Sequence, residues 1–159
     1  MGLNARVYCD CYERGLLRQS PPQPELIFVD SDGSLFCSND QIELRLEFDD
    51  WLTKNTCAHE DRVSTHHYLG NIVHVQFLRE RLSAYKNDFP LILTKVIYNG
   101  VHCGDFISLE KIQALREEIL GLSVVHSGNA QEEEILRDFE RQMNDLIDAA
   151  IQHKKPIAF

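Results

Sequence analysis

The sequence predicts an α+β domain: a largely antiparallel sheet with three or four helices. Two tight-turn signals, Asp32-Gly33 and Asn99-Gly100, each stand between apolar runs and announce hairpins. Three later segments repeat apolar residues every three or four positions, the mark of helices with one buried face. Hairpins and helices come in blocks rather than in β-α-β alternation, which separates the chain from the parallel α/β folds. At 159 residues, 43% hydrophobic and 26% charged, the chain suits one globular domain over residues 1–159, with a core that needs no staple.

Taken in order, residues 5–9 alternate around Val7 and Tyr8 and read as a strand, with Glu13-Arg14-Gly15 turning the chain afterwards. If that strand continues, Cys9 and Cys11 share a face. Ser20-Pro21-Pro22-Gln23-Pro24 is extended, because each proline fixes its own φ and restricts its predecessor. Residues 25–29 form a second strand of buried type, and Asp32-Gly33 leads into a third at 34–37. Residues 40–54 carry a strand-like alternation (Ile42, Leu44, Leu46, Phe48) and a helical face (Leu44, Phe48, Trp51, Leu52), and the second half is expected to be helical.

Residues 57–71 then read as a fifteen-residue connection between helices, rich in His and Cys, and long loops of this kind tend to carry function. Asn71 is placed to cap a helix bearing Ile72, Val75, Leu78, Leu82 and Tyr85, with His74 packed at the border of its stripe. Residues 90–98 read as a strand that reverses at Asn99-Gly100 into 101–107. Ser108 opens a helix with Ile112, Leu115 and Ile119, and Gly121 closes it. The longest helix spans 131–152, where Ile135, Leu136, Phe139, Met143, Leu146, Ile147, Ala150 and Ile151 form a stripe of the core-packing kind.

Sixteen basic against twenty-five acidic residues give a formal charge of −9, which disfavours nucleic-acid phosphates and anionic membranes and favours a basic protein partner. No run approaches the roughly 18 apolar residues that cross a bilayer. The start, Met1-Gly2-Leu3-Asn4-Ala5-Arg6, carries neither a signal-peptide core nor the hydroxyl residue of a myristoylation signal at position 6. Five cysteines, Cys9, Cys11, Cys37, Cys57 and Cys103, are an odd count without framework spacing, so a reducing compartment, the cytoplasm, is expected.

Three constellations could carry chemistry. Cys9, Cys11, Cys57 and His59 form a candidate zinc site, since three thiolates and an imidazole suit a closed tetrahedral Zn²⁺ centre, with His66, His67 and His102 as substitutes. Each pair is spaced by one residue where structural zinc sites usually place two to four, and plain burial of cysteines along a strand competes with this reading. Cys57 or Cys103, with His59 or His102 as base, is a second candidate, for nucleophilic catalysis, without the flanking signature of a known family.

The third is Leu26-Ile27-Phe28-Val29-Asp30-Ser31-Asp32-Gly33, which resembles the first motif of haloacid-dehalogenase-type phosphatases. The resemblance implies Asp30 as nucleophile, Asp32 as acid/base and a Mg²⁺ ion, with Thr94 and Gly104-Asp105 as later motifs. The short interval between Thr94 and Gly104 leaves no room for the lysine-bearing helix of that family, and an Asp-Gly hairpin turn explains the same residues.

The opening Met1-Gly2-Leu3 with Val7-Tyr8-Cys9-Asp10-Cys11-Tyr12-Glu13, together with Cys57-Ala58-His59-Glu60 and His66-His67-Tyr68-Leu69-Gly70-Asn71, resembles a group of uncharacterised bacterial proteins, a resemblance that supplies no activity. From the residues, the expectation is an acidic cytoplasmic binding or interaction protein, an inhibitor or immunity-type protein for a basic partner, with a candidate zinc site. A metal-dependent hydrolase using Asp30 and Asp32 is the alternative. Glu60, Asp61 and Tyr68 are the candidate partner-binding residues. Tyr12 and Trp51 are further aromatic candidates, with core packing the expected role of Trp51.

Overall fold

The computed structural model describes residues 2–54, 56–98 and 105–159. Burial alternates along Gly2–Tyr8 (β1), with Leu3, Ala5 and Val7 turned inward. A strand with one apolar face must bury that face, and here it does so against helices. The chain continues through a small hairpin, Ile27–Val29 (β2) and Leu35–Cys37 (β3), and a helix, Ile42–Thr53 (α1). Val63–Asn71 (β4) leads directly into Ile72–Ser83 (α2), and Phe106–Ile107 (β5) into Leu109–Gly121 (α3). Ala130–His153 (α4) and Ile157–Ala158 (β6) complete it. The main sheet has the order β4-β1-β6-β5 with every pairing antiparallel, and β2-β3 form a second, two-stranded sheet. The α+β class with a largely antiparallel sheet and four helices is thus the fold of the described residues.

The main core is where the helical stripes meet. Leu136, Phe139, Met143, Leu146, Ile147 and Ala150 of α4 pack with Ile112, Leu115 and Ile119 of α3 and with Val75, Leu78 and Leu82 of α2, all buried. Each large side chain so buried contributes roughly 1.5–3 kcal/mol. Ile151, at the edge of the expected stripe, is exposed. α4 covers β1 and β4 from one side. Asn71 caps α2 as expected, its Oδ1 accepting the Val73 and His74 amides at 2.9 and 3.0 Å. Gly121 keeps right-handed helical dihedrals rather than ending α3 in the left-handed region, and its role is close approach, since a Cβ there would sit 3.3 Å from Phe89.

A smaller core of Ile27, Leu35, Cys37, Phe48 and Trp51 joins the hairpin to α1. Trp51 stacks on Phe48 and is buried, as expected of core packing. α1 is helical from its start, so the alternation in its first half was the weaker of two periodic signals. The second strand begins only at Ile27, after a 3-10 turn at Pro24–Leu26, and Phe28 points outward beside Phe36, their rings 5.1 Å apart.

Two expectations are corrected. The presumed fifteen-residue connection at 57–71 is in large part the strand β4, paired along its length with β1. Its run of Ser64, Thr65, His66, His67 and Tyr68 is polar on both faces because β4 is a sheet edge, and so lacks the apolar alternation that announces a strand. The expected strand at 90–98 is instead helical, ending in a π-helical turn at Ile92–Val96. A short apolar run buried on several sides has no periodicity to separate strand from helix, and Ile92, Val96 and Ile97 are all fully buried. The turn at Asn99-Gly100 lies outside the described residues, and β5 pairs with β6.

Glu118 caps the start of that segment. Its two carboxylate oxygens accept the otherwise unpaired amides of Leu91 and Ile92 at 2.8 and 2.9 Å. Burial pushes the carboxyl pKa above its ordinary value, and the two backbone donors pull against that without cancelling it. Glu118→Ala should therefore destabilise the protein by about 1–3 kcal/mol, because buried amides lose their acceptor. A lower urea midpoint with an unchanged slope checks this.

Candidate metal centre

Inward-facing residues of β1 are the odd-numbered ones, so the strand's continuation delivers Cys9 to the helix side, where it is buried. The Cys9 amide donates to the Arg62 carbonyl at 2.8 Å, extending the β1–β4 ladder by one bond. Cys11 follows in a tight coil held by Arg14 N–H to Asp10 O, Gly15 N–H to Tyr12 O and Leu16 N–H to Cys11 O. From the other side, the segment after α1 brings Cys57 and His59, anchored by Arg18 N–H to Thr56 O at 2.7 Å. Asp61 and Arg62 adopt left-handed backbone, φ 48° and 58°, which swings the chain from His59 into β4.

The ligand atoms of Cys9, Cys11, Cys57 and His59 all lie within 4.8 Å of one another. Cys9 Sγ is 3.8 Å from Cys57 Sγ, Cys11 Sγ is 3.4 Å from His59 Nδ1, and Cys57 Sγ is 4.0 Å from the same nitrogen. A tetrahedral zinc centre with bonds of about 2.3 Å to sulfur and about 2.0–2.1 Å to nitrogen has S···S edges of about 3.8 Å and S···N edges of about 3.6 Å. The side chains are thus spaced as ligands to one small cation. The His59 amide also donates to Cys57 Sγ at 3.4 Å, a contact that favours sulfur carrying negative charge.

Burial pushes the Cys9 thiol up to about 12 and the Cys11 thiol in the same direction, with Cys57 adding to both effects while the Cys9 hydrogen bond pulls Cys11 back. Alone, these groups stay protonated at neutral pH. A soft divalent ion replaces the protons and converts the thiols to thiolates. The surrounding contacts tie the cluster to the C-terminal end of the chain. His153 stacks edge-on against His59, 5.8 Å between centroids, and its Nδ1 is 3.0 Å from Asp10 Oδ1. Burial raises the Asp10 pKa, but the His153 hydrogen bond and charge outweigh it and hold the carboxyl below its usual range. Lys155, buried, pairs with Glu13.

The remaining candidates fall elsewhere. His66 is exposed on β4, and His67 pairs with Asp145 of α4 at 3.2 Å, so neither joins the cluster. His102 and Cys103 lie outside the described residues. Cys57 and His59, the other nucleophile–base pair, are both members of the metal set. Asp30 and Asp32 sit on the β2–β3 turn. Asp30 Oδ1 accepts the Ser31 amide at 2.6 Å, Asp32 Oδ1 accepts the Ser34 amide at 2.8 Å, and Gly33 takes φ 90°. Those contacts are the turn chemistry of an Asp-Gly hairpin. Thr94 lies in the π-helical turn with its hydroxyl on the Pro90 carbonyl.

Glu60, Asp61 and Tyr68 border the sheet face that α4 leaves uncovered. Along that face Asn4 pairs with Tyr68 and Arg6 with His66, and Tyr68 is half exposed. A cavity of about 320 Å³ runs beside Arg6, Glu60, Asp61 and His66. A neighbouring one of about 310 Å³ reaches from Arg6 and Asp61 to Leu35 and Leu52 of the small lobe. The buried Arg62 beside the cysteines was not singled out in the sequence, where it stands in a polar run with no periodic signal.

Compared with family models, curated proteins and solved structures, the chain matches none. If the four side chains hold zinc, protein purified without a chelating tag should carry one equivalent. X-ray absorption should then show three sulfurs at about 2.3 Å and one nitrogen at about 2.0–2.1 Å. Thiol titration of the folded protein should find three cysteines protected until a chelator is added. Zinc far below one equivalent would remove the centre.

Proposed function

We propose that this chain is a zinc-stapled binding protein that docks a basic protein partner on its uncovered sheet face, in the manner of an inhibitor or immunity-type protein. The observation that carries the reading is the four-ligand geometry. Three sulfurs and one imidazole within 4.8 Å of one another would fill a tetrahedral site from the protein alone, and closed sites of that kind are structural, whereas catalytic zinc keeps a position open. The metal then holds the scaffold, and recognition belongs to a surface.

The uncovered face supplies that surface. A Cβ built on Gly2 would lie 2.4 Å from the Tyr68 ring, so the ring rests directly on the β1 backbone. An aromatic held in place before binding loses little entropy on contact, which suits it to anchor an interface. Glu60 and Asp61, both exposed, stand at the other end of the same strand and offer carboxylates to a cationic partner. The overall charge of −9 adds a long-range field that speeds encounter with a positive surface.

The test is association kinetics with a basic protein captured from the native host. The on-rate should fall steeply with salt, since exposed charges are screened over roughly 8 Å at physiological ionic strength. Glu60→Gln with Asp61→Asn removes both charges while leaving position 61 a residue that tolerates left-handed backbone. That pair should slow association several-fold at unchanged thermal stability, and Tyr68→Ala should raise the off-rate. An acidic partner, or an on-rate indifferent to salt, would overturn the reading.

A further inference from the structure

Three members of the ligand set, the cysteines, are buried, whereas His59 is only half-buried. Its Nδ1 faces Cys11 Sγ at 3.4 Å and Cys57 Sγ at 4.0 Å, and among the described residues its Nε2 makes no hydrogen bond. An imidazole turns readily about its last torsion, and a metal-binding histidine is ordinarily held by a partner on the nitrogen that does not bind. Another contact must hold this ring.

The ring packed against it is that of His153, the last residue of α4, which stands at 87° to the plane of His59 with 5.8 Å between centroids. His153 is itself fixed. Its side chain is 11% exposed, and its Nδ1 lies 3.0 Å from Oδ1 of Asp10, the residue between Cys9 and Cys11. The backbone behind it is tied down as well, since the Lys155 amide donates to the Ala150 carbonyl at 3.0 Å and the buried Lys155 side chain pairs with Glu13, just past Cys11. These contacts join the two ligand-bearing segments by a route that does not pass through the sulfurs: from Cys9 and Cys11 through Asp10 to His153, and from His153 to His59.

Resting on the metal reading above, we propose that His153, held by Asp10, is a positioning residue that fixes the His59 ring with Nδ1 toward the three sulfurs of a zinc centre. It touches no metal. Ring packing supplies here the orientation that a direct hydrogen bond to the ligand supplies in other sites, and the end of α4 becomes part of the centre.

The experiment measures zinc dissociation constants by chelator competition, at fixed pH and ionic strength, for wild type, His153→Ala, His153→Phe, Asp10→Ala and the combination of Asp10→Ala with His153→Phe. His153→Ala should hold zinc about ten- to a hundredfold more weakly, the usual cost of losing an outer partner of a metal-bound histidine. His153→Phe keeps a ring against His59 and should recover most of that loss. Asp10→Ala should weaken zinc binding in wild type and add nothing beside His153→Phe, because phenylalanine offers the carboxylate no hydrogen bond. Proton–nitrogen correlation spectra of the histidine side chains read the ring itself: in zinc-loaded wild type His59 should give one sharp set with the metal on Nδ1, and in His153→Ala that set should broaden or split. Equal affinity of wild type and His153→Ala, unchanged His59 resonances, or an equal cost of Asp10→Ala in both backgrounds would overturn the proposal. Should His153→Ala fail to fold with zinc present, His153→Leu takes its place. Wild type that binds no zinc would instead overturn the metal reading itself.

Discussion

The register between β1 and β4 is the constraint on which the rest depends. Pairing Tyr8 with Val63 and then Cys9 N–H with Arg62 O brings together two short segments far apart in sequence, Cys9 to Cys11 and Cys57 to His59. A shift of one residue would turn Leu3, Ala5 and Val7 to the uncovered face and carry Cys9 with them. The apolar inward face of β1 and the stripe of α4 therefore set the sulfur geometry before any metal arrives. Packing chooses the register, and the register assembles the ligands.

A metal at that point would join two unequal bodies. The main core is large enough to be self-sufficient, but the hairpin and α1 share only Ile27, Leu35, Cys37, Phe48 and Trp51. So small a core is marginal by itself. Leu17 packs on both that core and the cysteine cluster, and Trp51 Nε1 donates to the Gln19 carbonyl at 3.3 Å. Cross-linking residues 48 positions apart, as Cys9 and Cys57 are, removes chain entropy from the unfolded state by about 4 kcal/mol on the disulfide analogy. A staple there acts where the chain has least apolar contact to spend on order.

How far the sequence was legible follows from the kind of signal each residue leaves. Helices with one buried face, such as α2 after Asn71 and α4 along Leu136, Phe139 and Met143, write a period that survives in the sequence. Cys9, Cys11, Cys57 and His59 were identifiable because soft ligands are sparse, although their spacing of one residue looked unsuited to zinc. The two pairs nonetheless meet in space, because Cys9 and Cys11 follow the end of β1 while Cys57 and His59 precede the turn that leads into β4. β4 was missed because an edge strand needs no apolar alternation. The helical turn at Ile92–Val96 was missed because a short apolar run buried on several sides carries no periodicity, and the Glu118 carboxylate that accepts the Leu91 and Ile92 amides is distant in sequence. Arg62 could not be singled out, since a buried charge is defined by neighbours and not by local pattern.

The centre's own chemistry points away from itself as the place of recognition. Its three cysteines are buried, and the four ligand atoms lie within 4.8 Å of one another, so a metal held by all of them would have no open position. A partner or substrate approaching the metal would have to displace a ligand. The uncovered sheet face is different in each respect. Tyr68, His66, Glu60 and Asp61 are exposed, Arg6 lies between two cavities, and β4, which carries Tyr68 and His66, begins just after the turn that holds Glu60 and Asp61. Residues 57 to 68 run without interruption from Cys57 and His59 to Tyr68, so a metal held at Cys57 and His59 would fix the start of the stretch that leads into β4. Scaffold and surface are coupled through one strand.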